Sequence, residues 1–527
     1  MEEQCLVNAK YFNYPTASAF SVAGGHGGQT LFLLDGTVNM DPMSNVDLPL
    51  PFPDALQEFK VETSSLPANY GMAPGGVVNV VTKSGANEFH GGAFEFLRNY
   101  AFNARNFFAK ERDSLKRSQF GGHPGGPILK NKLFFFGGYQ GTYEKVSPAA
   151  NTNYVATAVV LQGDFTAIAS PACNNGKQIT LKAPFVGNKV DPSLLAPVSQ
   201  NLLKLIPTST DPCGKPVYGI PSDNHENQFV AKVDWQINDR HSAFTRYFFT
   251  DYQHPPHFTD NLLTTSTDAS AGLAGRVQTA VIGHTFTMSP TTVSVFRFGY
   301  TRSSMIRYLS SNVPTPTQLG ANVYQQVNNY LNFNVSNYFG VACNNCNPGP
   351  WVSNNFHLSE DLTMIRGRHQ ISAGVNYVYS SLNSQGSFMM NGNFTFNGQT
   401  TGNSLADFMI GKPCTFSQDN GQIGNERMHI PSLYVHDNFR INSNLTANFG
   451  LRWDPFLLPH HAQNKASIFD RAWFDTGIRH AIDPGVAAQL AGIDDLHGDE
   501  RKLYYGLARC GQLVDGGIRP AQPGQQP

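Results

Sequence analysis

The sequence predicts a mainly β chain, in which a large antiparallel sheet of barrel-forming strands follows a small α+β unit. Composition is the first reason. Charged residues make up only 14% of the 527 residues, against roughly 25% in a typical soluble domain, while Gly (49), Phe (38) and Tyr (20) are abundant. That mix suits strands with one apolar face and one uncharged polar face. It does not suit long soluble helices, which draw on Ala, Glu, Lys and Leu. The second reason is period-two alternation broken by tight turns. The third is that short turns alternate with long polar segments. This is the asymmetry of a membrane barrel with turns on one side and loops on the other.

The elements follow in chain order. Leu31-Phe-Leu-Leu34 is a short strand ending in the turn Asp35-Gly36, and Phe59-Lys-Val-Glu-Thr63 and Gly75-Gly-Val-Val-Asn-Val-Val-Thr82 are two more. All are too short to span a membrane, so residues 1–87 form the small α+β unit. A first spanning strand near 89–97 rises to a loop at 98–117, and the next descends to the turn Lys130-Asn131-Lys132 before 133–139. Alternation is clearest in Leu445-Thr-Ala-Asn-Phe-Gly-Leu-Arg-Trp453, where Leu445, Ala447, Phe449, Leu451 and Trp453 share one face. Thr446, Asn448, Gly450 and Arg452 share the other. Nine residues at ~3.3 Å span about 30 Å. Tilted by ~40° they rise roughly 23 Å, near the ~25 Å apolar band of an outer-membrane barrel, and Trp453 suits an interfacial girdle. In the preceding strand, 433–441, Leu433, Val435, Phe439 and Ile441 share a face with Asp437, which requires a bulge or a wet local surface.

Long polar loops are expected at 144–226, 253–275, 303–355 and 380–431. The first should hold a helix, capped by Asp191, with Pro192 in its first turn and a stripe of Leu194, Leu195, Val198, Leu202 and Leu205. The parity of turns and loops gives about 11 strands up to Trp453, half of the ~22 in plugged outer-membrane barrels. The wall is therefore expected over 88–460, with 461–527 an unassigned tail.

Several function classes are excluded. A net charge of −1 and a pI near 7.0 give no case for nucleic acid as a partner. No apolar run approaches the ~18 residues of a membrane helix, which does not bear on closed barrels. The seven cysteines, at 5, 173, 213, 343, 346, 414 and 510, are too few for a disulfide scaffold. Cys173 and Cys213 share the first long loop and are candidates for a bridge. Cys343 and Cys346 have the spacing of a metal knuckle but no second pair nearby, so a loop disulfide or two free thiols is expected and no metal site. The adjacent His460 and His461 do not easily ligate one metal from a strand. Gly24-Gly-His-Gly-Gly-Gln-Thr30 lacks the Gly-Lys-Ser/Thr ending of a phosphate loop. With no nucleophile elbow and no His-Glu-x-x-His, neither an enzyme nor a cofactor is expected.

Pro53-Asp-Ala-Leu-Gln-Glu-Phe-Lys-Val61, Ala68-Asn-Tyr-Gly71 and Gly75-Gly-Val-Val-Asn-Val-Val-Thr-Lys-Ser-Gly85 resemble the plug domain of TonB-dependent receptors, most closely the Oar-like branch. Phe89-His-Gly-Gly-Ala-Phe-Glu-Phe-Leu-Arg-Asn99, Gly125-Gly-Pro-Ile-Leu-Lys-Asn-Lys-Leu-Phe-Phe-Phe136 and Ser404-Leu-Ala-Asp-Phe-Met-Ile-Gly411 are similar to its barrel. The resemblance covers about residues 20 to 460. It implies a bacterial outer-membrane receptor that takes up a specific ligand (a metal chelate, glycan or peptide), with the plug gating the barrel. Its implied partners are a TonB-type energy-coupling complex, outer-membrane lipid and that ligand. The gating residues it points to are Asp35, Gly36, Gln57, Glu58, Gly75, Gly76, Asn79 and Lys83. Gly75 and Gly76 would allow a close backbone turn, and Gln57, Glu58, Asn79 and Lys83 would bond the barrel wall. The chain departs from the pattern at Met72, where these proteins usually carry Arg. It shows no signal peptide, coupling segment or aromatic-terminated last strand, so it is expected to be a piece that does not transport by itself. The alternative is a secreted β-rich adhesin or carbohydrate-binding protein.

Overall fold

The computed structural model describes residues 14–15 and 28–463, apart from 64–65, 72–74, 106–113, 147–150, 219–221, 257, 259–260, 266–271, 342–347, 388 and 456. Met72, Cys343, Cys346 and nearly all of the tail lie outside the described residues. No helix among the described residues is long and apolar enough to cross a membrane.

The small unit is a four-stranded sheet of β1 (Thr30–Leu34), β2 (Thr37–Val38), β3 (Leu56–Glu62) and β4 (Gly76–Thr82), in the order β2-β1-β4-β3. β1 pairs parallel with β4, while β2 and β3 pair antiparallel with their neighbours. The two central strands read as near-continuous apolar runs because both their faces are covered: Leu34, Val77 and Val80 are fully buried.

Eleven strands then follow one another in a single antiparallel sheet, as turn parity predicts. They are β5 (His90–Asn99), β6 (Lys116–Leu129), β7 (Leu133–Val146), β8 (Ser222–Gln236), β9 (His241–His254), β10 (Gly272–Ser289), β11 (Thr292–Tyr308), β12 (Gly349–Arg366), β13 (His369–Gly386), β14 (Gln422–Arg440) and β15 (Thr446–Trp453). A short β16 (His460–His461) also pairs with β14. The curved wall cups the small sheet and is not closed: β5 and β15 are its two edges among the described residues. Alternation sorts the faces as expected. Phe449, Leu451 and Trp453 are 61%, 72% and 60% exposed on the convex side, while Arg452 reaches inward to the Ala68 and Asn69 carbonyls. Asp437 is not re-aimed by a bulge. The register of β13 on β14 is unbroken there, and the carboxylate pairs with His369 Nδ1 at 2.7 Å.

Two expectations are corrected. The strands run 14–19 residues from β6 to β14, so the connections shorten to 147–221, 255–271, 309–348 and 387–421. An 18-residue strand such as β10 is about 60 Å long. That overreaches the ~25 Å apolar band expected of an outer-membrane barrel, even when tilted. Nor are the connections simply polar. They assemble a cap with a shared core that includes Val155, Phe165, Leu202, Leu262, Leu331, Phe333, Phe396 and Phe408. The expected helix over 191–205 is split into a single 3-10 turn, Pro192–Leu194, and α1 (Pro197–Leu203). Pro197 disfavours the helical conformation for Ala196, which is extended at ψ 128. Asp191 does cap its turn, accepting from Ser193 N. The motif at Ser404 forms α2 (Ser404–Met409), wholly buried in the cap and N-capped by Asn403.

Candidate functional site

The candidate site is the seat of the small sheet on the concave wall. β1 ends at Asp35 (φ 51) and Gly36 (φ 80), a turn that returns the chain as β2; Asp and Gly tolerate this left-handed backbone better than most residues. The turn aims Asp35 into the wall. Its carboxylate accepts from Thr82 N at 2.9 Å and Thr82 Oγ1 at 3.0 Å. It pairs with Arg246 Nε of β9 at 3.0 Å and lies 3.8 Å from Lys232 Nζ of β8. These side chains are only 2%, 1% and 6% exposed. The cations are satisfied further: Lys232 Nζ donates to the Thr82 carbonyl at 3.1 Å, and Arg246 donates to the carbonyl and hydroxyl of Thr279 and to the Leu34 carbonyl. Phe52 and Ala55 pack beside this cluster on Phe136, Val230 and Phe248. The result is a dry ionic latch between the small sheet and the wall.

The other flank is open. A cavity of about 230 Å³ separates β1 and β4 from the β11–β15 wall, lined among others by Leu31, Asn79, Tyr70, Arg297, His357, Asp361 and Arg452. Bridges across it are few: Val38 N donates to His357 Nδ1 at 3.4 Å, and Arg452 Nη1 donates to the Ala68 and Asn69 carbonyls at 3.2 and 3.1 Å. Arg297 pairs with Asp361 at 3.5 Å. Asn79 Oδ1 and Arg297 Nε are buried without a protein partner, so the cavity needs water to satisfy them. At Gly36, an added Cβ would sit 2.4 Å from Arg297 Nε. Burial, with Glu62 nearby, raises the Tyr70 hydroxyl above its usual value, and burial likewise raises the Asp41 carboxyl.

The other sequence-derived residues are scattered. Gln57 and Glu58 are exposed on the outer strand β3, where the register shifts between Leu56 and Glu58. Gly75 donates its N–H to the Gln29 carbonyl at 3.1 Å, and Gly76 opens β4. Neither glycine has positive φ, so the close turn belongs to Gly36. The Lys83 N–H donates to the Ala55 carbonyl. Cys173 and Cys213 form a disulfide in the cap. Among the described residues no group of His, Cys, Asp or Glu is placed to hold a metal ion. Lys232 and Arg246 escaped the sequence reading. Their available signal was an inward-facing cation at mid-height, the one charged group on that face of β9 but sharing that face of β8 with Glu226 and Asp234.

The TonB-dependent transporter Oar of Myxococcus xanthus is 28% identical over 141 residues, covering 25% of this chain and 13% of Oar. Among solved structures, the outer membrane transporter YddB of Escherichia coli has a TM-score of 0.46 at 12% identity, over 83% of this chain and 50% of YddB. The siderophore receptor PirA of Pseudomonas aeruginosa scores 0.44 at 14% identity, over 82% of this chain and 49% of PirA. The ferric enterobactin receptor PfeA of the same organism scores 0.44 at 15%, over 81% of this chain and 50% of PfeA. The chain thus spans about half the length of these solved relatives and a smaller share of Oar. These relatives are named as transporters and receptors; the bacterial outer-membrane location rests on the family model that also matches the chain. The family model described as an outer membrane beta barrel domain matches residues 81–505, most of the sequence, and the chain belongs to that family.

Proposed function

We propose that the whole protein is a TonB-dependent transporter that takes up a specific extracellular ligand, with residues 1–87 as a plug gating a barrel wall formed by 88–460. The seating of the small sheet carries this reading. It is latched to the wall through Asp35, Arg246 and Lys232 on one flank and borders a polar cavity on the other. A body held by one compact polar cluster and flanked by water is suited to being displaced. In this reading Asp35 and Gly36 form the latch turn, and Asn79 faces the solute path. Gly75, Gly76 and Lys83 shape the edges of β4, and Gln57 and Glu58 lie on the strand most accessible to a pulling partner. The ligand is a metal chelate, glycan or peptide, and the energy comes from a TonB-type complex.

The test uses cells carrying the full-length gene and a panel of labelled ferric chelates, oligosaccharides and peptides. One class should accumulate, and accumulation should stop when the energy-coupling protein is deleted. Accumulation that survives that deletion would reject the proposal, as would no gene-dependent uptake of any class.

A further inference from the structure

The convex face carries a second organised feature, at one height across four strands. Backbone register aligns Tyr300, Phe356, Tyr379 and His429 on β11, β12, β13 and β14. Their rings form a continuous belt, with centroids 5.0, 6.2 and 5.1 Å apart. Below it the face is largely apolar, with Phe298, Leu358, Val375 and Leu433 37–48% exposed; the acids on it are Glu360, which accepts from Ser294 Oγ, and Asp437, which pairs with His369. One pair higher, the same register aligns Arg302, Asn354, Ser381 and Arg427. Arg302 Nη1 and Tyr300 OH both donate to Asn354 Oδ1 at 2.9 Å, and Arg427 Nη2 donates to Asn383 Oδ1 at 3.1 Å. From the belt to the strand tops, no acidic residue points outward on these four strands.

The neighbouring sector is different. There, Arg276, one pair higher than Arg302, pairs with Asp251 at 2.8 Å, and Lys145, nearer the strand tops, pairs with Asp223 at 3.6 Å. Among the described residues Arg302 and Arg427 make no ion pair, and their neighbours leave guanidinium donors unspent. A guanidinium presents five N–H groups in a planar fork that matches phosphate oxygens. Aromatic belts mark the boundary between hydrocarbon and headgroups, so this row stands at headgroup height.

We propose that the row is a docking surface for phosphate-bearing lipid headgroups of the cap-side leaflet, with Arg302 and Arg427 binding phosphate and the aromatic belt packing on the acyl stems. The inference rests on the convex face lying in a bilayer. Three strand spacings put the two arginines about 14 Å apart, so they engage the phosphates of neighbouring lipids rather than sharing one.

Full-length protein in nanodiscs of phosphatidylcholine with a minor share of phosphatidylglycerol tests this, with retained lipids identified by native mass spectrometry after mild delipidation. The unaltered protein should keep phosphatidylglycerol selectively. The Arg302→Gln, Arg427→Gln double variant should lose that enrichment about tenfold, equivalent to about 1.4 kcal/mol, while Arg276→Gln keeps it. Unchanged heat-modifiable migration of the variants separates lost lipid from lost fold. Equal retention by both variants overturns the proposal, and so does displacement of the lipid by millimolar inorganic phosphate, which would mark a free-anion site. Failure of the unaltered protein to enter any nanodisc would instead reject the bilayer placement itself.

Discussion

Asp35 and Arg246 stand 211 positions apart and meet in a site nearly closed to solvent. A buried ion pair is a poor source of net stability, yet breaking one by removing a single partner typically costs 3–5 kcal/mol, because the other charge stays buried. Asp35→Ala leaves Arg246 without a carboxylate and Lys232 with Asp234 alone, at 4.0 Å. It is expected to loosen the small sheet by about 3–5 kcal/mol while leaving the wall intact. Limited proteolysis of the membrane-embedded protein checks this: cleavage should appear within residues 30–82 before any cut in the wall. Unchanged protection of that segment would mean that apolar packing around Phe52 holds the sheet alone. Asp35 was legible as a turn residue beside Gly36. Its two partners were not, because nothing local ties a mid-strand Lys or Arg to one carboxylate in a different unit. Asp437 makes the same point. Its neighbours mark it as a flaw in an apolar face, and only the adjacent strand supplies His369.

At the scale of the element, alternation was sufficient for the strands. The two faces of β15 separate cleanly, with Phe449 outward and Asn448 inward. Phe449→Arg is expected to cost about 2–4 kcal/mol near the bilayer midplane and Asn448→Arg to cost little. Folding yield of the full-length protein into lipid vesicles measures both, and equal losses would mean that the faces are reversed. Strand ends were less legible. Above the membrane the outward face turns polar while pairing continues, so hydrophobic alternation fades before the ladder does. The expected helix over 191–205 failed for a definable reason: its apolar stripe is real, but Pro197 biases Ala196 away from the helical region. Periodicity registered the stripe and passed over the single residue that divides it.

At the scale of the whole molecule, the cap is the largest departure. Its connections carry apolar residues at no fixed period, so each reads as loop, and only their assembly creates a core. The Cys173–Cys213 bridge closes 40 positions of the first connection, for which the chain-entropy model gives about 4 kcal/mol. Replacing both cysteines by Ser should therefore make the cap the first region to open on heating, with the wall unaffected. Hydrogen exchange over 151–218 against β8–β14 would detect it, and equal protection with and without the bridge would place cap stability in the apolar core alone. The number of strands, their order and the face each residue takes were determined by the sequence itself. Period-two alternation and turn chemistry are local properties, written within a dozen residues of each position. The tertiary structure alone decided which inward cations meet Asp35, which flank of the small sheet is latched and which borders a cavity, and that four loops share one core. Those contacts join residues tens to hundreds of positions apart, and their energies come from burial and pairing that exist only once the sheet has curved around its contents.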